Sequence, residues 1–226
     1  MKNIELIQKL RDSFSKNKSE IITQFPAWDT VKDARITIFS KCINVCNSAQ
    51  LAFVFMHFHL LGPDWWKKIA KNEIPNADAQ IYVNEFDMFT KIGFVQFSFS
   101  SIESAFRIYV KSLDATACNN GTSEFKSIYS WLLKRLNLQC HENLLDLLRL
   151  IRNTIHNNGV YFHKSGLNES VTYKNKIYEF NIGTPIDFVT WDFIFEVMED
   201  IEDLIINVVN SNEIRVLNNV IDPFAQ

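Results

Sequence analysis

Turn-forming residues are scarce in this chain. Six glycines and five prolines in 226 residues are too few for the many tight reversals of a β-sandwich or barrel, so long helices are the natural solution. The breakers that do occur are grouped. Gly62-Pro63, Pro75, Asn119-Asn-Gly121 and Asn157-Asn-Gly159 divide the sequence into runs with a helical period. The expected fold class is mainly α, a helical bundle carrying one β-hairpin.

In chain order, residues 3–15 predict a short amphipathic helix with Ile4, Ile7, Leu10 and Phe14 on one side, broken by Lys16-Asn-Lys-Ser19. Phe25-Pro-Ala-Trp28 marks an irregular turn. A long helix is expected from about Thr30 to Leu61, interrupted at most at Asn47-Ser48. A short helical piece then starts at Trp65-Trp66 and docks onto the core. Residues 72–76 are the best linker. A second long helix should run from Asp78 to Leu113, with Phe86, Phe89, Phe94 and Phe97 as a core-facing band. Asp114 to Ser123 is a polar loop, with Ser123 as cap of a helix over Glu124 to Leu136. A final helix spans Asp187 to Asn210, and residues beyond Ser211 form a short tail. Between residues 160 and 183 the period becomes two. Val160-Tyr-Phe162, Val171-Thr-Tyr173 and Ile177 to Ile182 alternate like strands, with Lys174-Asn-Lys176 as the turn. That hairpin is inserted before the last long helix. The organisation is one domain over residues 1–226, in which residues 1–71 are readable as an N-terminal helical extension.

A net charge of −3 and a pI near 6.0 argue against broad non-specific nucleic-acid binding, so contact with a polyanion has to come from a local patch. Lys126, Lys134, Arg135, Arg149 and Arg152 supply one, against Glu124, Glu142 and Asp146. Residues 187–213 carry acidic groups and no Lys or Arg, which reads as a solvated face. Cys42, Cys46, Cys118 and Cys140 lack zinc spacing and the histidines form no metal set, so no cofactor is expected and the thiols read as reduced, in a cytoplasmic protein. Leu51 to Leu61 is apolar but too short to span a bilayer, and no membrane association is expected.

One stretch organises the rest: Glu142 to Gly159, a helix whose end is marked by Asn157-Asn-Gly159. Leu144, Leu148, Ile151 and Ile155 make its apolar ridge. Arg149, Arg152 and His156 follow at i, i+3 and i+7 and form a second row at the border with solvent. A guanidinium binds phosphate oxygens in a fork and an imidazole exchanges protons near neutrality, which together make a minimal metal-free phosphodiester-cleaving set. The plainer reading is that these cations offset the partial negative charge of the helix end.

Arg149-Leu-Ile-Arg152-Asn153-Thr-Ile-His156 resembles the signature of the HEPN superfamily (higher eukaryote and prokaryote nucleotide-binding domains). Its members are all-α domains whose late helix carries an Arg, four to six residues, then a His, often with Asn behind the Arg. Arg149 and His156 enclose six residues. Arg152 has Asn153 behind it but lies only three residues short of His156, so either arginine qualifies. The resemblance implies a metal-independent endoribonuclease that cleaves single-stranded RNA through the 2′-hydroxyl, a homodimer bringing two Arg/His rows together, and a toxin–antitoxin or phage-defence setting with an antitoxin protein as partner. Some members have lost activity and bind RNA, a nucleotide or a protein instead. Under the catalytic reading His156 is general acid/base, Arg149 and Arg152 stabilise the scissile phosphate and Asn153 assists. Glu103 either orients that row or pairs with its i+4 neighbour Arg107. Lys174 and Lys176 line a phosphate-binding rim, unless the hairpin is only a structural flap.

Overall fold

The computed structural model describes residues 1–70, 76–218 and 220–224. Helix α1, Lys2–Gln24, starts the chain. It does not break at Lys16 to Ser19, because Ile7, Leu10, Phe14 and Ile21 form one continuous buried stripe through that polar run. Lys16 pairs with Glu20 on the solvent side, whereas Asn17 lies in the stripe and donates to the buried Glu202 of the last long helix. A tertiary face thus overrides a locally polar signal.

Helix α2, Ala34–Phe55, begins later than Thr30 for two reasons. Asp29 takes the amides of Val31 and Lys32 into a side-chain turn, and Asp33 then caps the helix by accepting from the Arg35 amide. Asn47 and Ser48 sit within the helix without interrupting it. Its end loosens into a π-helical turn, Met56–Leu60, before Gly62. Ala34–Leu60 meets the length and mean hydropathy (1.2) of a bilayer-crossing helix by composition alone. Within this fold its Cys42, Cys46, Ala49 and Phe53 belong to the core. Helix α3, Pro63–Ala70, docks through Trp65 against Phe55, and Trp66 donates to the Leu60 carbonyl. Most of the expected linker lies outside the described residues.

Helix α4, Asn76–Leu113, runs antiparallel to α2, with Phe86 meeting Phe55 at one end and the Tyr109 hydroxyl meeting the Ala34 carbonyl at the other. The expected phenylalanine core band is only partly buried. Phe94 is sealed, whereas Phe89 is 74% and Phe97 65% exposed. Helical period marks a common sector, but α2 covers only part of it.

After α4 come α5, Cys118–Gly121, a single turn whose four residues all have positive φ, and α6, Phe125–Arg135. Ser123 does not cap α6. Its carbonyl, with that of Gly121, accepts from the Arg107 guanidinium, which thereby clamps the left-handed turn. Helix α7, Glu142–Ile155, is the motif helix. It buries Leu144, Leu148 and Ile151 as expected, and Leu145, Leu147 and Leu150 besides.

Strands β1, Glu169–Tyr173, and β2, Lys176–Phe180, form an antiparallel hairpin. Lys174 and Asn175 both have positive φ, as a two-residue hairpin turn of this kind requires. Val160 to Phe162 is not a strand but loop, joined to the next connection by an isolated bridge between Val160 and Pro185. The hairpin leans on α8, Trp191–Asn210, which starts at the Thr190 cap instead of Asp187. Helix α8 lies parallel to α1, with Lys2 on Asp192 and Lys9 on Glu199. Its acidic groups therefore answer lysines of α1 and of the hairpin.

The residues beyond Ser211 are more than a tail. Helix α9, Asn212–Arg215, and the stretch after it close over the start of α2. Arg35, fully buried, donates to both Asp33 oxygens and to the carbonyls of Ile214, Arg215 and Leu217, with Trp28 stacked 3.6 Å from its guanidinium carbon. Asp222, also buried, accepts from Thr37 and pairs with Lys41.

Candidate phosphate-binding cleft

Two concavities stand out. A groove of about 400 Å³ between α2 and α4, flanked by Phe86, Phe89 and Phe97, holds no titratable group and therefore no acid–base chemistry. The other is a polar cleft of about 690 Å³ where α4, α6, α7 and the loop after α7 meet. Arg149, Arg152 and Asn153 enter it from α7, Glu103 and Arg107 from α4, Lys126 from α6, and His163, Lys164 and Glu169 from the loop and β1.

The two motif arginines differ in circumstance. Arg149, its side chain 14% exposed, donates to Asp146 at 3.3 Å and to Glu169 at 3.2 Å. Asp146 also accepts from the Tyr129 hydroxyl at 2.6 Å and pairs with Lys126, and Glu169 accepts from Tyr161 at 2.7 Å. Burial alone pushes the Arg149 pKa down, but Tyr129, Asp146 and Glu169 outweigh it and keep the guanidinium charged. Burial likewise pushes Glu169 up, and the hydrogen bonds from Tyr161 and Arg149 more than reverse it, holding the carboxylate below its usual range. Arg149 is thus the centre of an internal network.

Arg152 has no such network. Its guanidinium lies 5.3 Å from the Phe99 ring centre, its Nε is buried without a hydrogen-bond partner, and among the described residues no carboxylate pairs with it. A guanidinium beside an apolar ring, facing a polar cleft, retains most of its donors for an incoming anion.

The other expected site residues divide. Asn153 lines the cleft next to Arg152. Glu103 lines it too, but spends its Oε1 on Arg107, at 2.6 Å, as the i+4 reading expects. His156 is the C-cap of α7 and is exposed, outside the walls of the cleft. Two turns of helix separate it in register from Arg149, and the chain reverses at Asn158 and Gly159 immediately after it. Lys174 and Lys176 do not form a rim here. Lys174 is paired with Glu196 and Asp200 of α8, and Lys176 sits over Tyr178, because the hairpin turn points along α8 and away from the cleft.

Sequence reasoning missed His163, Lys164 and Glu169. They lie in a stretch without period, and the sole signal was the density of aromatic and ionisable residues in Tyr161-Phe-His-Lys164 just past the helix stop. Lys164 pairs with Glu124 at 3.0 Å across the mouth of the cleft, which holds the Glu124 carboxyl low. Among the described residues no three His, Cys, Asp or Glu side chains are grouped to hold a metal. No family model, curated protein or solved structure matches this chain.

Proposed function

We propose that the cleft binds a phosphate of single-stranded RNA and that the protein is a metal-independent endoribonuclease of HEPN type. The observation that carries the reading is Arg152, a cleft-lining guanidinium with no carboxylate partner among the described residues, with Asn153 and Arg149 lining the same cleft. Arg152 takes the non-bridging phosphate oxygens in a fork and stabilises charge as the transition state forms. Arg149 holds the cleft wall in register. The attacking group is the neighbouring 2′-hydroxyl, whose position in the same strand makes the reaction intramolecular. His156, exposed at the end of α7, exchanges protons once a second copy packs its α7 terminus against the first and brings the imidazole to the bound phosphate. Expected partners are RNA, a second copy and a restraining antitoxin protein, in a cytoplasmic toxin–antitoxin or defence setting.

The test is cleavage of a short single-stranded RNA in EDTA by the purified protein. His156→Ala should lower the cutting rate about 10²–10⁴-fold without lowering the melting temperature, and Arg152→Met should weaken binding about 10- to 150-fold. A wild-type protein that binds RNA but leaves it intact points to a second reading, a non-catalytic HEPN-like module that binds RNA, a nucleotide or a protein. One observation favours that alternative: the His156 imidazole stands outside the cleft that holds the arginines.

A further inference from the structure

Cleavage through a 2′-hydroxyl needs two proton carriers, one to take the hydroxyl proton and one to protonate the departing 5′-oxygen. The motif helix offers one histidine. The cleft contains another, on the loop after α7: His163 lines it together with Arg149 and Arg152. We infer that His163 is the general acid of this site, an inference that rests on the RNA-cleaving reading above.

The geometry around the ring supports the role. Nδ1 lies 2.6 Å from the Ser165 hydroxyl and 3.2 Å from the Ser165 amide. The Ser165 amide donates to Nδ1 while the ring is neutral. The hydroxyl can rotate to accept from Nδ1–H when the ring is charged, and the Leu167 amide secures that hydroxyl at 3.2 Å. Protonation at Nδ1 gives up the amide bond and turns the hydroxyl from donor to acceptor, so the ring retains a Ser165 partner in both states. Nε2, the other nitrogen, is 3.7 Å from Glu169 Oε1, beyond hydrogen-bond range, so among the described residues it is committed to no acceptor. Glu169 is itself anchored by Tyr161 and Arg149 and stays ionised. That carboxylate lies between His163 and Arg149, so the proton donor stands beside the phosphate-binding wall. The charged and titratable groups around the ring are Glu169 on β1, Arg149 on α7, Glu124 ahead of α6, and Tyr161 and Lys164 on its own loop.

In the step, O2′ attacks phosphorus while its proton passes to the His156 imidazole, and the O2′–P bond forms. The P–O5′ bond breaks, and the Nε2 proton of the His163 imidazolium moves to O5′. The products are a 2′,3′-cyclic phosphate and a 5′-hydroxyl, with both imidazoles returned to their starting states by exchange with water.

The experiment compares wild type, His163→Ala, His163→Gln and His156→Ala on one single-stranded RNA in EDTA, with kcat, KM and a pH profile for each. Removing a general acid should lower kcat by about 10²–10⁴-fold with KM little changed. Of the bell-shaped profile, His163→Gln should lose the alkaline limb and His156→Ala the acidic limb. Added imidazole should restore part of the His163→Ala rate. His163→Gln keeps a side chain that can bond Ser165, so a folding defect in the alanine variant does not confuse the result. If wild type cleaves and both His163 variants cleave within threefold of it, the inference falls while the RNA-cleaving reading stands. Loss that appears in KM alone also overturns it, by making His163 a binding group. If wild type cleaves no RNA, both fall.

Discussion

Replacing each motif arginine with methionine, which keeps most of the volume and removes the charge, should separate two kinds of arginine. In Arg149→Met, Asp146 and Glu169 lose the guanidinium they share. Breaking a buried ion pair from one side costs about 3–5 kcal/mol. Here Tyr129 and Lys126 still satisfy Asp146, and Tyr161 still satisfies Glu169. A loss of roughly 2–3 kcal/mol is therefore expected, each charged hydrogen bond contributing about 1.5 kcal/mol or more. For a chain of this size that is a fall in Tm of about 4–12 °C. In Arg152→Met no pair is broken, because the guanidinium has none among the described residues, and a partly desolvated charge disappears. Stability should stay within about 1 kcal/mol of wild type or rise. The affinity for a labelled single-stranded RNA should fall about 10- to 150-fold, the equivalent of about 1.5–3 kcal/mol of charged hydrogen bonding to phosphate. Thermal unfolding followed by circular dichroism and fluorescence anisotropy at fixed salt measure the two quantities. The reasoning is wrong if Arg152→Met melts as low as Arg149→Met, or if it binds RNA as wild type does.

Three further outcomes are expected. Arg35→Met leaves Asp33 buried without its cation and takes the guanidinium donor from the carbonyls of Ile214 and Leu217, so urea unfolding should show a loss of about 3–5 kcal/mol. Burial raises the Glu202 pKa above its unfolded value despite the hydrogen bond from Asn17. The folded state therefore holds that proton more tightly than the unfolded one. The resulting stability is fully present below the ordinary glutamate range and is lost as pH rises through the folded value. Glu202→Gln should accordingly raise Tm at pH 7.5, and the gain should vanish on acidification below the glutamate range. Thiol labelling with a chromogenic disulfide should find Cys140 at once, whereas Cys42 and Cys46 should react only on unfolding, since burial shuts them off from solvent and pushes the Cys46 thiol up to about 12.

The helical class, the inserted hairpin and the bounds of α7 were legible because period and stop signals are local. What failed was non-local. Lys16 to Ser19 looked like a break because the stripe from Phe14 to Ile21 matters only once α2 and α8 are present to receive it. Phe89 and Phe97 share a sector with Phe94, and period says nothing about how wide the covering helix is. The divergence between Arg149 and Arg152 was invisible as well, since Glu169 lies 20 residues away along the chain from Arg149 and reaches it only because the loop folds back. The row of cations could be read from spacing, but which cation was already spoken for could not. His163 left only a local density of aromatic and ionisable residues, because a loop has no period to place it.

The anchoring of Arg35 by the carbonyls of Ile214 and Leu217 has a bearing on biosynthesis. As the ribosome extends the nascent chain, α1 and α2 emerge early, yet the acceptors that receive this guanidinium are polymerised some 180 residues later. Until then a full positive charge sits at the mouth of α2 with Asp33 and Trp28 for company but without its carbonyl acceptors, and final docking of that helix has to wait. Maturation of the fold is thereby postponed until Ile214 to Leu217 have left the exit tunnel, and a product truncated before Ile214 should remain a substrate for chaperones or proteolysis.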